Sequence, residues 1–374
     1  MKGRRLLMIP GPIEFEPEVM MAVGMPTTSH VAPDFVESFG HSLEMMRDVW
    51  LAPSGQPFIM AGSGTLAMDM AGANLVEPGD RALVLSTGYF GERYAALLRR
   101  YGAEVTVLAA ETGNVVSLKA VEDELKRSRY KIMTFTHVDT STAVRVDPES
   151  LGALGEKYGV ITVLDGVCSV AGEVIRQEEW KIDVVLTASQ KAVGVPPGLA
   201  LLVASDRAME AWQKRKSPVG SYYSDWTHWL PVMKAYEERR PAYFGTPAVN
   251  LVNGLEVSLR LILKEGMEVR FRRHRERAVA FREAMKDLGL KMIPVSDEVS
   301  ANTLSAPFYP EGIRGADFMK AIASSEVILA GGLLPGIKDN YFRVGHMGSV
   351  TGGDILTTVA AISGALTGCG YRRG

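Results

Sequence analysis

A single lysine, Lys191, lies in the segment TASQKAVGVPPG between two apolar runs of strand length, 182–186 and 199–203. No acidic residue lies within seven positions of this lysine on either side. Burial of an ammonium group without a charged partner lowers its pKa, so the free amine can act as a nucleophile or a base. The alternative is a lysine in an exposed turn. The pattern therefore makes Lys191 a candidate catalytic residue.

A glycine-rich turn, AGSG at 61–64, follows the apolar run 58–60 and precedes a helix-like stretch. Backbone N–H groups at a helix N-terminus bind anions such as phosphate, because the helix dipole favours negative charge there. An ordinary strand–helix turn with a Ser or Thr cap gives the same pattern. The turn is neither a GxGxxG nor a Walker motif, which argues against dinucleotides and nucleoside triphosphates.

Two charged residues, Asp165 and Arg343, adjoin or interrupt apolar runs. The carboxylate either caps a helix or serves as a functional charge, because buried carboxylates need partners. The guanidinium either pairs with a structural acid or presents its fork to a ligand carboxylate. Together with the lysine and the glycine turn, these residues suit pyridoxal phosphate. Its aldehyde bonds to a lysine, its ring nitrogen pairs with a carboxylate, and its amino-acid substrate needs a guanidinium.

Apolar runs of strand length alternate with helix-length amphipathic segments through the first two-thirds of the chain. The strand-like runs are 58–60, 82–85, 105–108, 132–135, 160–164, 183–186 and 199–203, and the helical stretches are 64–75, 91–101, 118–127 and 148–158. This alternation predicts an α/β fold whose mainly parallel, seven-stranded sheet lies between helices. Ligands bind beyond the carboxyl ends of such strands, where the candidate residues lie.

The pattern changes near residue 205, where long helical segments at 250–264 and 266–288 take over. The second segment is rich in arginine, at Arg270, Arg272, Arg273, Arg275 and Arg277. We expect this charge to be the solvated face of a domain-connecting helix. Strand-like runs at 302–306, 327–330 and 341–344 with two helices predict a smaller C-terminal α/β domain. The predicted division is an N-terminal segment 1–15, a large domain 16–262 and a small domain 263–374.

The bulk composition is that of a soluble globular protein. The chain has 374 residues, of which 47% are hydrophobic and 22% charged, and its net charge of −2 gives no reason to expect nucleic acid as a partner. No signal peptide or membrane span is evident. The two cysteines, Cys168 and Cys369, form neither a disulfide framework nor a metal site. We expect a cytoplasmic protein without a metal.

The sequence resembles the class V aminotransferases of fold type I, and within them the alanine–glyoxylate and serine–pyruvate aminotransferases. The resemblance covers nearly the whole chain and rests on motifs in the expected order. They are MIPGP, GSGT, STGYFGERY, FTHVDTST, LDGVCSVAG, TASQKAVGVPPG, YFGTP and FRVGHMG. The resemblance implies a pyridoxal phosphate-dependent transaminase of two half-reactions. An amino acid such as alanine or serine gives its amino group to the cofactor, and glyoxylate or pyruvate then takes it.

Residue roles follow from the same resemblance. Lys191 would bond to the cofactor aldehyde and shuttle a proton, and Asp165 would keep the ring nitrogen protonated. Phe90, where several relatives have tryptophan, would stack on the ring face. The phosphate would be held by Ser63, Gly64, Thr65 and Gln190. Thr140 would lie near the ring hydroxyl, Arg343 would bind the substrate carboxylate, and Gly11 would border the substrate.

Two further residues, Tyr243 and Thr246, resemble those that reach the phosphate of the neighbouring subunit in the family. The implied assembly is a homodimer with shared active sites. The chain departs from the family at Ala143, where glycine is common. The added methyl group puts the substrate scope in question by shifting the loop near Thr140.

Three alternatives remain open. An aspartate-type class V enzyme is possible, but no second arginine is evident for a distal carboxylate, so small neutral donors are expected. A cysteine desulfurase shares the fold but needs a catalytic cysteine on a mobile loop, and neither Cys168 nor Cys369 fits that requirement. A non-catalytic or NAD-binding α/β protein would leave Lys191 as a turn residue, and the missing GxGxxG counts against it.

Overall fold

The computed structural model of the chain describes residues 5–372. Twelve helices lie within these residues: α1 Pro17–Val23, α2 Pro33–Trp50, α3 Gly64–Leu75, α4 Tyr89–Arg100, α5 Leu118–Arg127, α6 Pro148–Tyr158, α7 Asp206–Gln213, α8 Trp226–Glu237, α9 Val249–Glu265, α10 Met267–Asp287, α11 Gly315–Ala323 and α12 Gly352–Gly368. The strands are β1 Leu6–Leu7, β2 Gln56–Ala61, β3 Arg81–Ser86, β4 Glu104–Ala109, β5 Ile132–Thr136, β6 Val138–Asp139, β7 Val144–Arg145, β8 Ile161–Asp165, β9 Val184–Ala188, β10 Leu199–Ala204, β11 Leu304–Ser305, β12 Val327–Ile328, β13 Ala330–Gly331 and β14 Phe342–Gly345.

The main sheet has seven strands in the order β2-β10-β9-β8-β5-β3-β4. All seven predicted runs lie in it, so the predicted sheet is confirmed. Neighbouring strands are parallel except at β10, which runs antiparallel to both β2 and β9. Strands β5, β8, β9 and β10 are buried along their whole length, which is why their sequences read as continuous apolar runs rather than alternating ones.

Several helix ends match the prediction because local capping defines them. The helix α5 begins after Ser117, whose side chain accepts a hydrogen bond from the Ala120 amide. The helix α6 begins after Asp147, whose side chain accepts from the amides of Glu149 and Ser150, and Pro148 occupies its first position. Gly159 then ends α6 in the left-handed conformation, with φ of 66°.

The direction of the strands brings four loops together. Strands β2, β5, β8 and β9 point the same way, so the residues that follow their carboxyl ends meet at one edge of the sheet. The first turn of α3 follows β2 at this edge, and the segment that contains Lys191 follows β9.

The C-terminal part of the chain has its own apolar cluster, which includes Phe281, Phe318, Phe342 and Ile362. Two small sheets accompany it, one formed by β11, β14 and β13 and the other by β1 and β12. The N-terminal strand β1 is thus paired with the C-terminal part of the chain. The domain division at residues 15 and 262 stays a prediction, and residues 1–4 and 373–374 lie outside the described part.

The prediction of a fully solvated arginine face on α10 is wrong for Arg270. This residue is buried, and its guanidinium donates to the carbonyls of Ala171 and Ala192 at 2.7 Å each and pairs with Glu265 at 2.8 Å. Arg273 also pairs with Glu265. Arg270 therefore fastens α10 to the loop after β8 and to the segment that follows Lys191, and both arginines tie α10 to Glu265 at the end of α9.

Candidate active site

A cavity of about 220 Å³ opens at the carboxyl edge of the main sheet. Nine of the residues predicted from the sequence line it: Gly11, Ser63, Gly64, Thr65, Phe90, Thr140, Asp165, Gln190 and Lys191. A larger cavity of about 380 Å³ lies between α9, α10 and residues 13–18, and it contains none of them. The residues predicted to carry the chemistry therefore lie together around the smaller cavity.

Lys191 reaches into this cavity from the turn after β9, and its side chain is almost fully buried. Burial lowers the pKa of its amine, the nearby Arg343 lowers it further, and Cys168 and Asp165 oppose the shift. The Nζ atom donates to the carbonyl of Pro10. The amine is thus held in a fixed place and kept closer to its neutral, nucleophilic form than an exposed lysine.

Gly11 packs directly on this lysine. A Cβ atom at position 11 would lie 2.5 Å from Cδ of Lys191 and 2.8 Å from Cε, and the residue has φ of +100°. Both the close approach and the left-handed backbone require glycine. The N-terminal PGP loop therefore forms one wall around the amine, and the predicted contact of Gly11 with a substrate stays a prediction.

Asp165 ends β8 at the cavity and is 2% exposed. Burial raises the pKa of its carboxyl group to about 6, an effect that the 3.0 Å hydrogen bond from the Val167 amide counteracts. Asp139 raises this pKa further, and Lys191 lowers it. Asp165 forms no ion pair with any other residue in the range 5–372. A buried carboxylate of this kind is suited to a cationic N–H group of a ligand.

The first turn of α3 forms the opposite end of the cavity. The side chain of Ser63 precedes the helix without capping it. A Cβ at Gly64 would lie 2.7 Å from the side chain of Val167, so glycine is needed for the helix to start this close to the loop after β8. The buried Oε1 atom of Gln190 has no hydrogen-bond partner among the described residues. This end can hold an anion through backbone amides, the hydroxyls of Ser63 and Thr65, and the Nε2 group of Gln190, whose Oε1 atom can only accept a hydrogen bond.

Comparison with known proteins agrees with this geometry. The family model for class-V aminotransferases matches residues 20–335 of the chain. The chain belongs to this family. It is 38% identical to alanine–glyoxylate aminotransferase 1 of Saccharomyces cerevisiae, with 91% of each chain covered. It is 31% identical to L-aspartate–glyoxylate aminotransferase of Paracoccus denitrificans, with 96% of this chain and 90% of the relative covered. The crystal structure of alanine–glyoxylate aminotransferase from Nostoc sp. superposes with a TM-score of 0.92 at 31% identity, covering 98% and 96% of the two chains.

Membership of the class-V aminotransferase family, with named aminotransferases at 31–38% identity, counts against the alternative of a non-catalytic or NAD-binding α/β protein. Neither cysteine has the setting that a desulfurase needs. Cys168 is 2% exposed in the wall of the cavity, and Cys369 directly follows α12. No helix within residues 5–372 is long and apolar enough to cross a membrane.

Arg343 is placed beside the cavity of the aminotransferase rather than in its wall. Its Nε atom donates to the Gly331 carbonyl at 2.8 Å, and Nη1 donates to the Thr140 carbonyl at 3.2 Å. No structural acid among the described residues pairs with it, so the alternative of a salt bridge is wrong. The guanidinium is held against the loop that carries Thr140, and its role toward a substrate stays a prediction.

Tyr243 and Thr246 lie outside the cavity. Both are exposed, and the Tyr243 ring is 5.3 Å from the ring of His30. Their predicted role concerns a second subunit and stays a prediction. Ala143 is buried with φ of +60° and donates its amide to the Asp139 carbonyl. Its left-handed backbone is the conformation that glycine adopts most readily.

Asp139, which sequence reasoning missed, fixes the start of α4. It is fully buried, accepts from the Phe90 amide at 3.0 Å and accepts from the amide and hydroxyl of Ser141. The Ser141 hydroxyl in turn accepts from the Tyr89 amide at 3.0 Å. These contacts determine where Phe90 lies over the cavity. The available signal was the polar DTS run that begins three positions after the end of the buried strand β5, since acids near such ends often bind helix amides.

Arg93 is the second residue that sequence reasoning missed. It lines the cavity, and its Nη2 atom donates to Oγ1 of Thr65 at 2.8 Å. Arg93 lies three positions after Phe90, about one helical turn further along α4. That spacing was the only signal in the sequence.

Proposed function

We propose that this class-V aminotransferase binds pyridoxal phosphate in the cavity around Lys191 and moves the amino group of alanine or serine to glyoxylate or pyruvate. One observation carries the proposal: the buried amine, the unpaired carboxylate of Asp165 and the anion-binding turn of α3 line the same cavity. When bound, the cofactor supplies an electrophilic carbon and a ring that withdraws electrons.

The residues of the chain fit that cofactor. Lys191 would hold it covalently and, once displaced by the incoming amino group, would carry the proton at the substrate α-carbon. Asp165 would accept a hydrogen bond from the ring nitrogen and keep it protonated, which satisfies the buried charge. The phosphate would be held by Ser63, Gly64, Thr65 and Gln190. Phe90 would cover one ring face, and Thr140 would lie near the ring hydroxyl.

The proposed preference for a small neutral amino donor rests on the number of arginines that could bind substrate carboxylates near the cavity. Arg343 would bind the α-carboxylate of the amino acid beside Thr140, and Gly11 would leave room for a small side chain. Arg93, the one arginine among residues 5–372 that lines the cavity, is engaged with Thr65 at the anion-binding end. Small neutral donors are therefore favoured over aspartate. The relative from Paracoccus denitrificans, which is named for L-aspartate, makes aspartate the competing donor.

The proposed assembly is a homodimer in which Tyr243 and Thr246 reach the phosphate in the other subunit. Support comes from their exposure and from other exposed apolar side chains, namely Tyr222 and, on or just after α1, Met20, Met21 and Met25. A second subunit that packed over these side chains would remove their apolar surface from water.

The test is a comparison of amino donors with glyoxylate as acceptor. We expect kcat/KM for L-alanine or L-serine to exceed that for L-aspartate, with glycine as the product in each case. A higher kcat/KM for aspartate would overturn the donor assignment while leaving the aminotransferase chemistry intact. Release of sulfide from L-cysteine at a comparable rate would contradict the reaction type.

A further inference from the structure

Arg93 connects two elements that meet at the cavity. Its side chain extends from α4 to the first turn of α3, where Nη2 donates to the Thr65 hydroxyl at 2.8 Å. Within residues 5–372 this is the only hydrogen bond of that hydroxyl. Both residues line the cavity and are exposed to it.

In the hydrogen bond between Arg93 and Thr65, the donor can only be the arginine. A guanidinium group carries donors and no acceptor, so the Thr65 oxygen must accept the hydrogen bond. The single hydroxyl hydrogen of Thr65 is then free to donate to another group. With Arg93 on one side of the oxygen, that hydrogen turns away from the arginine and is available to an anion at the start of α3.

The charge of Arg93 also favours an anion at the start of α3. Arg93 forms no ion pair with any acidic residue of the described range, although it lies in a chain with 43 acidic residues. Its positive charge therefore adds to the partial positive charge of the α3 N-terminus. A dianionic group is the ligand that such an end of a cavity favours.

We propose that Arg93 is a positioning residue that commits the Thr65 hydroxyl to donate to the cofactor phosphate. This inference rests on the proposed function, because it requires the phosphate of pyridoxal phosphate at the start of α3. Arg93 acts through Thr65 and raises the affinity for the phosphorylated cofactor specifically.

The experiment is an equilibrium titration of cofactor-free protein with pyridoxal phosphate and, separately, with pyridoxal, which has the same ring and aldehyde but no phosphate. The variants are Arg93→Ala, Thr65→Val and the double variant. Arg93→Lys and Thr65→Ser retain a donor and a hydroxyl, respectively. Arg99→Ala is the matched control, since Arg99 is exposed in the last turn of the same helix. The circular dichroism and melting temperature of each variant report on folding.

We expect Arg93→Ala to weaken the binding of pyridoxal phosphate about tenfold, the size of one lost hydrogen bond in a network that ends on a charged group. Binding of pyridoxal should not change, Arg99→Ala should bind like the wild type, and Arg93→Lys should recover part of the affinity. In the Thr65→Val background, removal of Arg93 should weaken binding clearly less than it does in the wild type, because the hydroxyl that Arg93 orients is absent and only its charge still acts.

Three results would overturn the inference. Equal weakening for pyridoxal and pyridoxal phosphate would show that Arg93 only supports the fold of the cavity. Fully additive losses in the double variant would show that Arg93 acts independently of Thr65. If the wild type binds pyridoxal phosphate and Arg93→Ala binds it equally well, that result contradicts this inference but leaves the proposed function intact. A wild-type protein that binds no pyridoxal phosphate contradicts the proposed function on which it rests.

Discussion

Replacement of Asp165 by asparagine should stabilise the cofactor-free protein while it weakens cofactor binding. Asn has nearly the same shape, and its amide oxygen can still accept the hydrogen bond from the Val167 amide. The substitution removes a negative charge that is buried at 2% exposure and has no cationic partner among residues 5–372. The pKa of the Asp165 carboxyl group is about 6, against 3.8 for an ordinary aspartate. The folded state therefore disfavours the charged form of Asp165 by about 3 kcal/mol of free energy.

The pH dependence follows from the direction of that shift. Because the pKa is higher in the folded than in the unfolded chain, the proton on Asp165 stabilises the fold fully below pH 3.8, and that contribution is lost as the pH rises through about 6. The cofactor-free wild type and Asp165→Asn should therefore be about equally stable near pH 4. The variant should be more stable above pH 7, by up to about 3 kcal/mol.

The assay is urea unfolding of both cofactor-free proteins, followed by circular dichroism at one fixed protein concentration and at several pH values. Asp287→Asn, at an exposed position at the end of α10, is the control and should show no such pH-dependent gain. With pyridoxal phosphate present the order should reverse, since only the aspartate can pair with the protonated ring nitrogen. A variant less stable than the wild type above pH 7 without cofactor would refute the view that Asp165 is an unpaired buried charge.

Three further predictions concern the walls of the site and the assembly. Gly11→Ala should lower kcat about a hundredfold, because the new Cβ displaces Lys191 by a large fraction of an ångström. Gly79→Ala, which has φ of +88° but open space around it, should have no such effect on kcat in the same assay. Arg343→Gln should raise KM for alanine more than it lowers kcat; a change in kcat alone would remove Arg343 from substrate binding. A mixture of Lys191→Ala and Tyr243→Ala proteins, unfolded and refolded together, should regain activity that neither has alone, because a hybrid dimer contains one complete site; no gain would contradict shared active sites.

Much of the fold was predictable because its signals are local. Strands buried on both faces of a sheet are almost wholly apolar, as β5, β8, β9 and β10 are, so they appear in the sequence as nearly continuous apolar runs. Caps such as Ser117 and Asp147 define helix starts without any reference to distant parts of the chain. The candidate site residues were also predictable, since Asp165 and Lys191 closely follow the carboxyl ends of strands, and a parallel sheet brings those ends together.

The features that were missed depend on contacts between distant segments. Arg270 was expected to be solvated because its helix is rich in charge, but two backbone carbonyls and Glu265 surround it in the folded chain. Asp139 and Arg93 gain their roles only where α3, α4 and the loop after β5 meet. The C-terminal strands were predicted as longer runs than the structure has, since several contain only two residues and have no periodicity that a sequence could reveal.

The central claim is that Lys191 and the residues around it exchange an amino group in two separate half-reactions. The most direct measurement mixes the enzyme, loaded with pyridoxal phosphate, with L-alanine in the absence of any oxo acid. We predict a burst of pyruvate equal to the concentration of active sites, after which added glyoxylate releases an equal amount of glycine and restores the enzyme. Lys191→Ala should give no burst. Pyruvate that keeps accumulating without an acceptor, or an equal burst from Lys191→Ala, would contradict the account.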